Sequence, residues 1–134
     1  MSEFDVHRFA VQLLNLKGVK NLIFFHVPNG EQRSKRTGAR LKAMGVVRGV
    51  SDLVLIIPSQ PTPRVVFLEI KDAKGRLSVD QKIFRQRAED AGVDFLIASS
   101  SDEVVAQLAK CGALRRRPTE TECRQMAGDQ IAAE

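Results

Sequence analysis

With 134 residues and 43% hydrophobic side chains, the chain has enough material for one compact domain with its own core. Seven Phe with no Trp and no Tyr argue against a single-strand binder built on stacked aromatic platforms. The net charge of +5 is compatible with a polyanionic partner, and equally with a solvated basic face.

The positive excess is uneven. Residues 33–48 carry six Lys or Arg and no acid, and Arg115, Arg116 and Arg117 form a second block. The cysteines, Cys111 and Cys123, lack metal-type spacing and accompany no secretory signal, so free thiols in a reducing cytoplasm are expected. No apolar run approaches the roughly 18 residues of a membrane span. Glu3 and Asp5 near the start are unlike the basic opening of a signal or transit peptide.

In chain order, residues 5–16 place Val6, Phe9, Ala10, Leu13 and Leu14 at the spacing of an amphipathic helix. Acids at its start suit the helix dipole, and Gly18 is its expected end. Residues 21–26 read as a buried strand, and Pro28, Asn29 and Gly30 turn the chain. Ser34 to Met44 reads as a strongly basic helix, although Gly38 weakens it by about 1 kcal/mol relative to Ala. The glycines at 45 and 49 then allow the backbone to approach a ligand or the next strand closely. Residues 51–58 and 64–71 are two short β-branched runs separated by a proline-rich loop, which reads as an antiparallel pair. After a turn at residues 72–76, Ser78 and Gln81 have capping-box spacing. The helix they open runs to about Ala91, with Ile83, Phe84 and Ala88 inward. A strand over 93–98 follows, and then a helix over 101–110 with Ser101 as N-cap, early acids and a late lysine. Residues 115–134 are polar, and a mobile or weakly helical tail beyond a domain of residues 1–114 is expected. The resulting fold class is α/β, a mixed sheet with helices on both sides.

The sharpest chemical clue lies in the central pair. A loop symmetric about Gln60 and Pro61 sets Asp52 opposite Glu69. Two opposed carboxylates destabilise a sheet, and a divalent cation reverses that sign, because hard cations take carboxylate oxygens. Lys71 shares the face of Glu69. An Asp followed by Glu-x-Lys suits phosphodiester hydrolysis, with carboxylates for a metal ion and a lysine to orient water or balance charge on the phosphate. Glu-x-Lys alone also describes an exposed edge strand.

The motifs around this centre extend well beyond it. Pro28-Asn-Gly30, Gly38 to Gly45, Gly49-Val-Ser-Asp-Leu53, Leu68-Glu-Ile-Lys71, Gly75-Arg-Leu-Ser-Val-Asp-Gln81 and Gly92 occur in order. In that combination the chain resembles the VRR-NUC family of the PD-(D/E)xK nuclease superfamily, over roughly residues 3–110. The resemblance implies an αβββαβ core and a Mg²⁺- or Mn²⁺-dependent endonuclease. It places Asp52, Glu69 and the Ile70 carbonyl as metal ligands and Lys71 as the catalytic lysine. Gln81 matches a glutamine beside the site, while its capping-box role with Ser78 explains it equally well. The family's first-helix acid corresponds to Glu3, with His7 where a glutamine is usual and Asp5 as a competing choice. His26, ending a strand, reads as a packed or capped residue rather than a ligand. Arg33, Lys35, Arg36 and Lys42 are candidate phosphate contacts, as are Lys74 and Arg76 in the turn after the catalytic strand. The small stand-alone members of the family imply structure-selective cleavage of branched DNA, notably four-way (Holliday) junctions, by a homodimer. Rival readings are a nuclease acting on flaps, nicks or duplex, and a DNA-binding module that keeps the fold without cleaving.

Overall fold

The computed structural model describes residues 1–28 and 35–133. Helix α1 (Glu3–Lys17) is followed by strand β1 (Ile23–His26), α2 (Lys35–Ala43), β2 (Leu53–Ile57) and β3 (Arg64–Ile70). Then come α3 (Val79–Asp90), β4 (Asp94–Ala98), α4 (Ser101–Lys110) and α5 (Glu120–Ala133). The four strands lie in the order β1-β2-β3-β4. The first two pairings are antiparallel, and β3 with β4 is parallel across the α3 crossover.

One face of the sheet carries the core. Leu53, Leu55 and Ile57 of β2 and Val66, Leu68 and Ile70 of β3 alternate inward, as the two-residue period of a strand requires. They pack with Val6, Phe9, Ala10, Leu13 and Leu14 from α1 and with Val104 and Leu108 from α4. Helix α1 begins at a Ser2–Asp5 capping box and ends where Gly18 donates its N–H to the Leu14 carbonyl. Both ends are therefore fixed by local hydrogen bonds. A Cβ on Gly18 would lie 2.4 Å from the Leu14 oxygen, so only glycine lets the chain leave the helix there.

The other face is half covered. Phe84 of α3 lies between Phe67 and Phe95, with ring centroids 5.1 and 6.2 Å away. Ile83, expected inward, is 54% exposed. Gln81, Phe84 and Ala88 form the i, i+3, i+7 line facing the sheet, and Ile83 falls to one side of it. No helix covers the β1 end of this face among the described residues. The expectation of a buried strand over 21–26 is corrected accordingly: Ile23 and Phe25 are exposed, because β1 is the sheet's edge.

The C-terminal region also departs from expectation. The N-cap of α4 is Ser100 rather than Ser101, its side chain accepting from the Glu103 N–H. Where composition suggests a mobile or weakly helical tail, α5 runs to Ala133 and Met126 joins the core. A single buried apolar residue with flanking ion pairs is a weak periodic signal, and the partner surface on α1 supplies the rest. The arginine block is largely structural. Arg115 donates to the Leu16 carbonyl and its N–H to the Lys17 carbonyl, while Arg116 pairs with Glu122.

Candidate active site

The β2–β3 register pairs Leu53 with Leu68 and Val54 with Phe67. One further step along it sets Asp52 opposite Glu69. Asp52 precedes β2, and its carboxylate reaches across the strand ends, where Oδ2 accepts the Ile70 N–H at 2.8 Å. Asp52 is thus anchored to the backbone between Glu69 and Lys71, and the two carboxylates are held together despite their repulsion.

Glu69 is only 2% exposed, which is unusual for a carboxylate unless it is paired. Its Oε1 accepts from Gln81 Nε2 at 3.1 Å and lies 3.8 Å from Lys71 Nζ. Its Oε2 is buried and receives no donor among the described residues. Burial, then the negative charge of Asp52 and a hydrogen bond that the protonated carboxyl shares with Asp52, push the Glu69 carboxyl up to about 8, against a smaller opposing pull from Lys71. Glu3 adds a smaller push in the same direction, so the first-helix acid lies within electrostatic reach. At neutral pH this carboxyl holds a proton unless a cation takes that place.

That orphaned oxygen tests whether a divalent cation fits. Burying a polar atom without a partner is costly, and a buried acceptor beside a second carboxylate is the donor set hard cations use. The residues fit. Asp52, Glu69 and the carbonyl of Ile70 are the groups at these strand ends that would hold such an ion.

Gln81 joins α3 to this centre. Its Oε1 accepts the Ser78 N–H and its backbone N–H donates to Ser78 Oγ, completing a capping box, while Nε2 donates to Glu69. The capping reading and the site reading are both satisfied by one side chain. Gly49 makes this seating possible. Its φ is +79°, and a Cβ there would lie 2.3 Å from the Asp80 carbonyl oxygen and 2.7 Å from the Gln81 nitrogen. The glycine's close approach is therefore to the first turn of α3.

The first-helix candidates separate. Asp5 is engaged in the capping box with Ser2. His7 reaches the site, with its ring 4.7 Å from that of His26 and nearly perpendicular to it. Burial lowers the His7 pKa below its ordinary value, with His26 pulling the same way and Asp52 opposing. His26 is exposed, and its Nδ1 lies 2.7 Å from the Asp52 carbonyl oxygen. Its capped role is present, together with a meeting with His7 that sequence spacing did not signal.

Of the candidate phosphate contacts, Arg33 lies outside the described residues, and Lys35 opens α2. Arg36 and Lys42 are exposed on α2, and so is Arg40, beside them on the same helix. Lys74 and Arg76 are exposed in the turn after β3. Asp72 shapes that turn, its Oδ1 accepting the Lys74 N–H and its carbonyl the Gly75 N–H.

A mixed four-stranded sheet flanked by helices in this order is the architecture of a restriction-endonuclease-like α/β domain. Solved structures share it. A "VRR_NUC domain protein" has a TM-score of 0.65 at 21% identity, covering 82% of this chain and 87% of that one. A "VRR_NUC domain" has a TM-score of 0.54 at 18% identity, covering 82% of this chain and 97% of the other. No curated protein matches the sequence. The chain belongs to the VRR-NUC domain family, whose sequence pattern matches residues 16–102, more than half its length. It is therefore a nuclease domain, with DNA the substrate that the family implies. No helix among the described residues is long and apolar enough to cross a membrane.

Proposed function

We propose that this domain is a Mg²⁺- or Mn²⁺-dependent endodeoxyribonuclease in which Asp52, Glu69 and the Ile70 carbonyl hold the cation. The observation that carries the reading is Glu69, buried beside Asp52 with Oε2 lacking a donor among the described residues and its carboxyl pushed up to about 8. The ion supplies Lewis acidity toward a phosphate oxygen and lowers the pKa of a water. Lys71 orients the attacking water and balances charge that builds on the phosphate. Gln81 keeps Glu69 in the rotamer that presents Oε2. Glu3 adds negative potential from α1, favouring cation uptake. Arg36, Lys42, Lys74 and Arg76 hold the DNA backbone, joined by Arg33 and Lys35, so affinity falls steeply with salt.

The substrate proposed is branched DNA, notably the four-way junction, cut by a homodimer. Each chain carries one such centre, and symmetric incision of a two-fold junction needs two related by two-fold symmetry. The exposed apolar residues Ile23, Phe25 and Val65 on the uncovered part of the sheet offer a surface for that partner.

The test is cleavage of a labelled four-way junction beside duplex, splayed and flap controls. It is run with Mg²⁺ or Mn²⁺, with chelator, and with Glu69→Gln or Lys71→Ala. Paired symmetric cuts in the junction alone, lost with chelator and with either variant, support the full reading. Cutting of flaps, nicks or duplex keeps the nuclease and removes the junction. Salt-sensitive binding without any cleavage leaves a DNA-binding module.

A further inference from the structure

The chain contains two histidines, 19 positions apart in sequence, and the fold brings their rings into contact at 4.7 Å. His7 comes from α1 and His26 from the last position of β1. Ligand atoms of His7, His26 and Asp52 all lie within 4.8 Å of one another. We propose that His7, His26 and Asp52 form a second cation site that takes a zinc-like transition ion rather than magnesium.

Hydrogen bonding prepares His26 for this. The Asp52 carbonyl can only accept, so at 2.7 Å the Nδ1 of His26 carries the proton and donates it. The other ring nitrogen then keeps its lone pair. A ligating histidine whose remaining N–H is held by a backbone carbonyl is the usual support for metal binding, since it fixes both tautomer and ring orientation. The same carbonyl accepts the Val27 N–H at 3.0 Å, which ties it to the β1 end. His7 is held by a helix capped at both ends. The Asp52 carboxylate has about four lone-pair sites, of which the Ile70 N–H takes one.

Donor chemistry decides the ion. Two imidazoles with one carboxylate suit zinc, iron, nickel or copper, whereas magnesium takes oxygen. Bonds of about 2.0–2.1 Å to a tetrahedral ion set its ligand atoms about 3.4 Å apart, so ligand atoms that lie within 4.8 Å of one another must close by up to about 1.4 Å. Side-chain rotation at the exposed His26 and the half-buried His7 would have to supply that movement. Three protein ligands leave room for water or a phosphate oxygen, as in open zinc sites. Edge-to-face packing of two rings is the competing explanation of the contact, and it predicts no ion.

The site shares Asp52 with the proposed nuclease centre and does not require cleavage, so its test separates the two. Zn²⁺ binding to the whole chain is followed by calorimetry in excess Mg²⁺, together with the imidazole proton resonances, of which two histidines give two sets. The expected result is one Zn²⁺ per chain that shifts both sets. Binding weakens about 10-fold or more in His7→Gln and in His26→Gln, as for loss of a metal ligand or its close support, and is largely retained in Glu69→Gln. Unshifted imidazole resonances in the unaltered chain overturn the proposal whatever the variants do. Abolition of binding by Glu69→Gln, with binding unchanged in both histidine variants, also overturns it, because the ion then occupies the carboxylate centre.

Discussion

Glu69 and Glu122 are two glutamates with opposite fates. Glu122 joins α5 to α1, where Lys17, Arg116 and the Thr119 N–H all serve its carboxylate. The hydrogen bond from Arg116, and then that from Lys17, hold its carboxyl far below the ordinary range. Glu69 is buried beside another carboxylate, and its carboxyl is pushed the other way, to about 8. The α1–α5 seam is electrostatically complete within the fold. At the ends of β2 and β3 two carboxylates meet one nearby cation, Lys71 at 3.8 Å from Glu69, and the Glu69 carboxyl keeps a proton instead, which is how this centre differs from a structural ion pair.

The largest test of this contrast is Glu69→Gln. Cleavage with Mg²⁺ or Mn²⁺ should fall by about 10²–10³-fold or more, on the scale of removing a group that stabilises transition-state charge. Stability of the metal-free protein near pH 8, read by urea unfolding, should be unchanged or higher, since the substitution removes a buried charge. A stability loss instead would mean that Glu69 is already satisfied in the fold.

Ser78→Ala against Gln81→Ala sharpens the comparison further. Each breaks the capping box and should cost about 0.5–2 kcal/mol. Only Gln81→Ala also removes the donor to Glu69, and it should lose a further 10–100-fold in metal affinity or cleavage, the usual scale for an outer partner of a ligand. Equal activity in the two variants would reduce Gln81 to a cap.

The pH dependence follows from the same group. A carboxyl raised to about 8 in the folded state keeps a proton that the unfolded chain releases near the ordinary value of about 4.3. Between these values the folded state binds more protons, so its stability falls as pH rises. The contribution is complete below the unfolded value and lost through about 8. Urea unfolding of metal-free protein across this window should show that decline. Saturating Mg²⁺ or Mn²⁺ should flatten it, with proton release on binding near neutral pH.

The smallest expected effect is Glu122→Gln. Its carboxyl is depressed, so its contribution is present at neutral pH and is lost on acidification. Lying partly exposed at the surface and screened by solvent, the ion pair should shift the melting temperature only slightly, and less still in high salt. Cleavage should not change. A large loss of activity would show that the seam and the site are coupled.

Much of the site was legible because its parts are local. Ser78 and Gln81 are three residues apart, Glu69 and Lys71 two apart, and the short proline-rich loop fixes the register that sets Asp52 against Glu69. The histidine contact was not legible, since His7 and His26 meet only after α1 packs on the sheet. The outward position of Ile83 is not legible either, because apolar identity does not say which of two adjacent helical positions faces the core. Likewise, Ile23 and Phe25 look like interior residues until their strand proves to be an edge without a covering helix.

The sequence by itself determined the element order as far as α4, the opposed Asp52 and Glu69, the Glu-x-Lys strand and the family resemblance. The first three depend on alternation, capping or short-loop register, which act over a few residues, and the resemblance rests on short motifs met in order along the chain. Only the tertiary structure decided that Glu69 is buried with an oxygen lacking a donor among the described residues, that Gln81 serves cap and carboxylate together, and that both histidines converge on Asp52. Desolvation and long-range contact arise from packing elements distant in the chain, and local sequence pattern does not encode them.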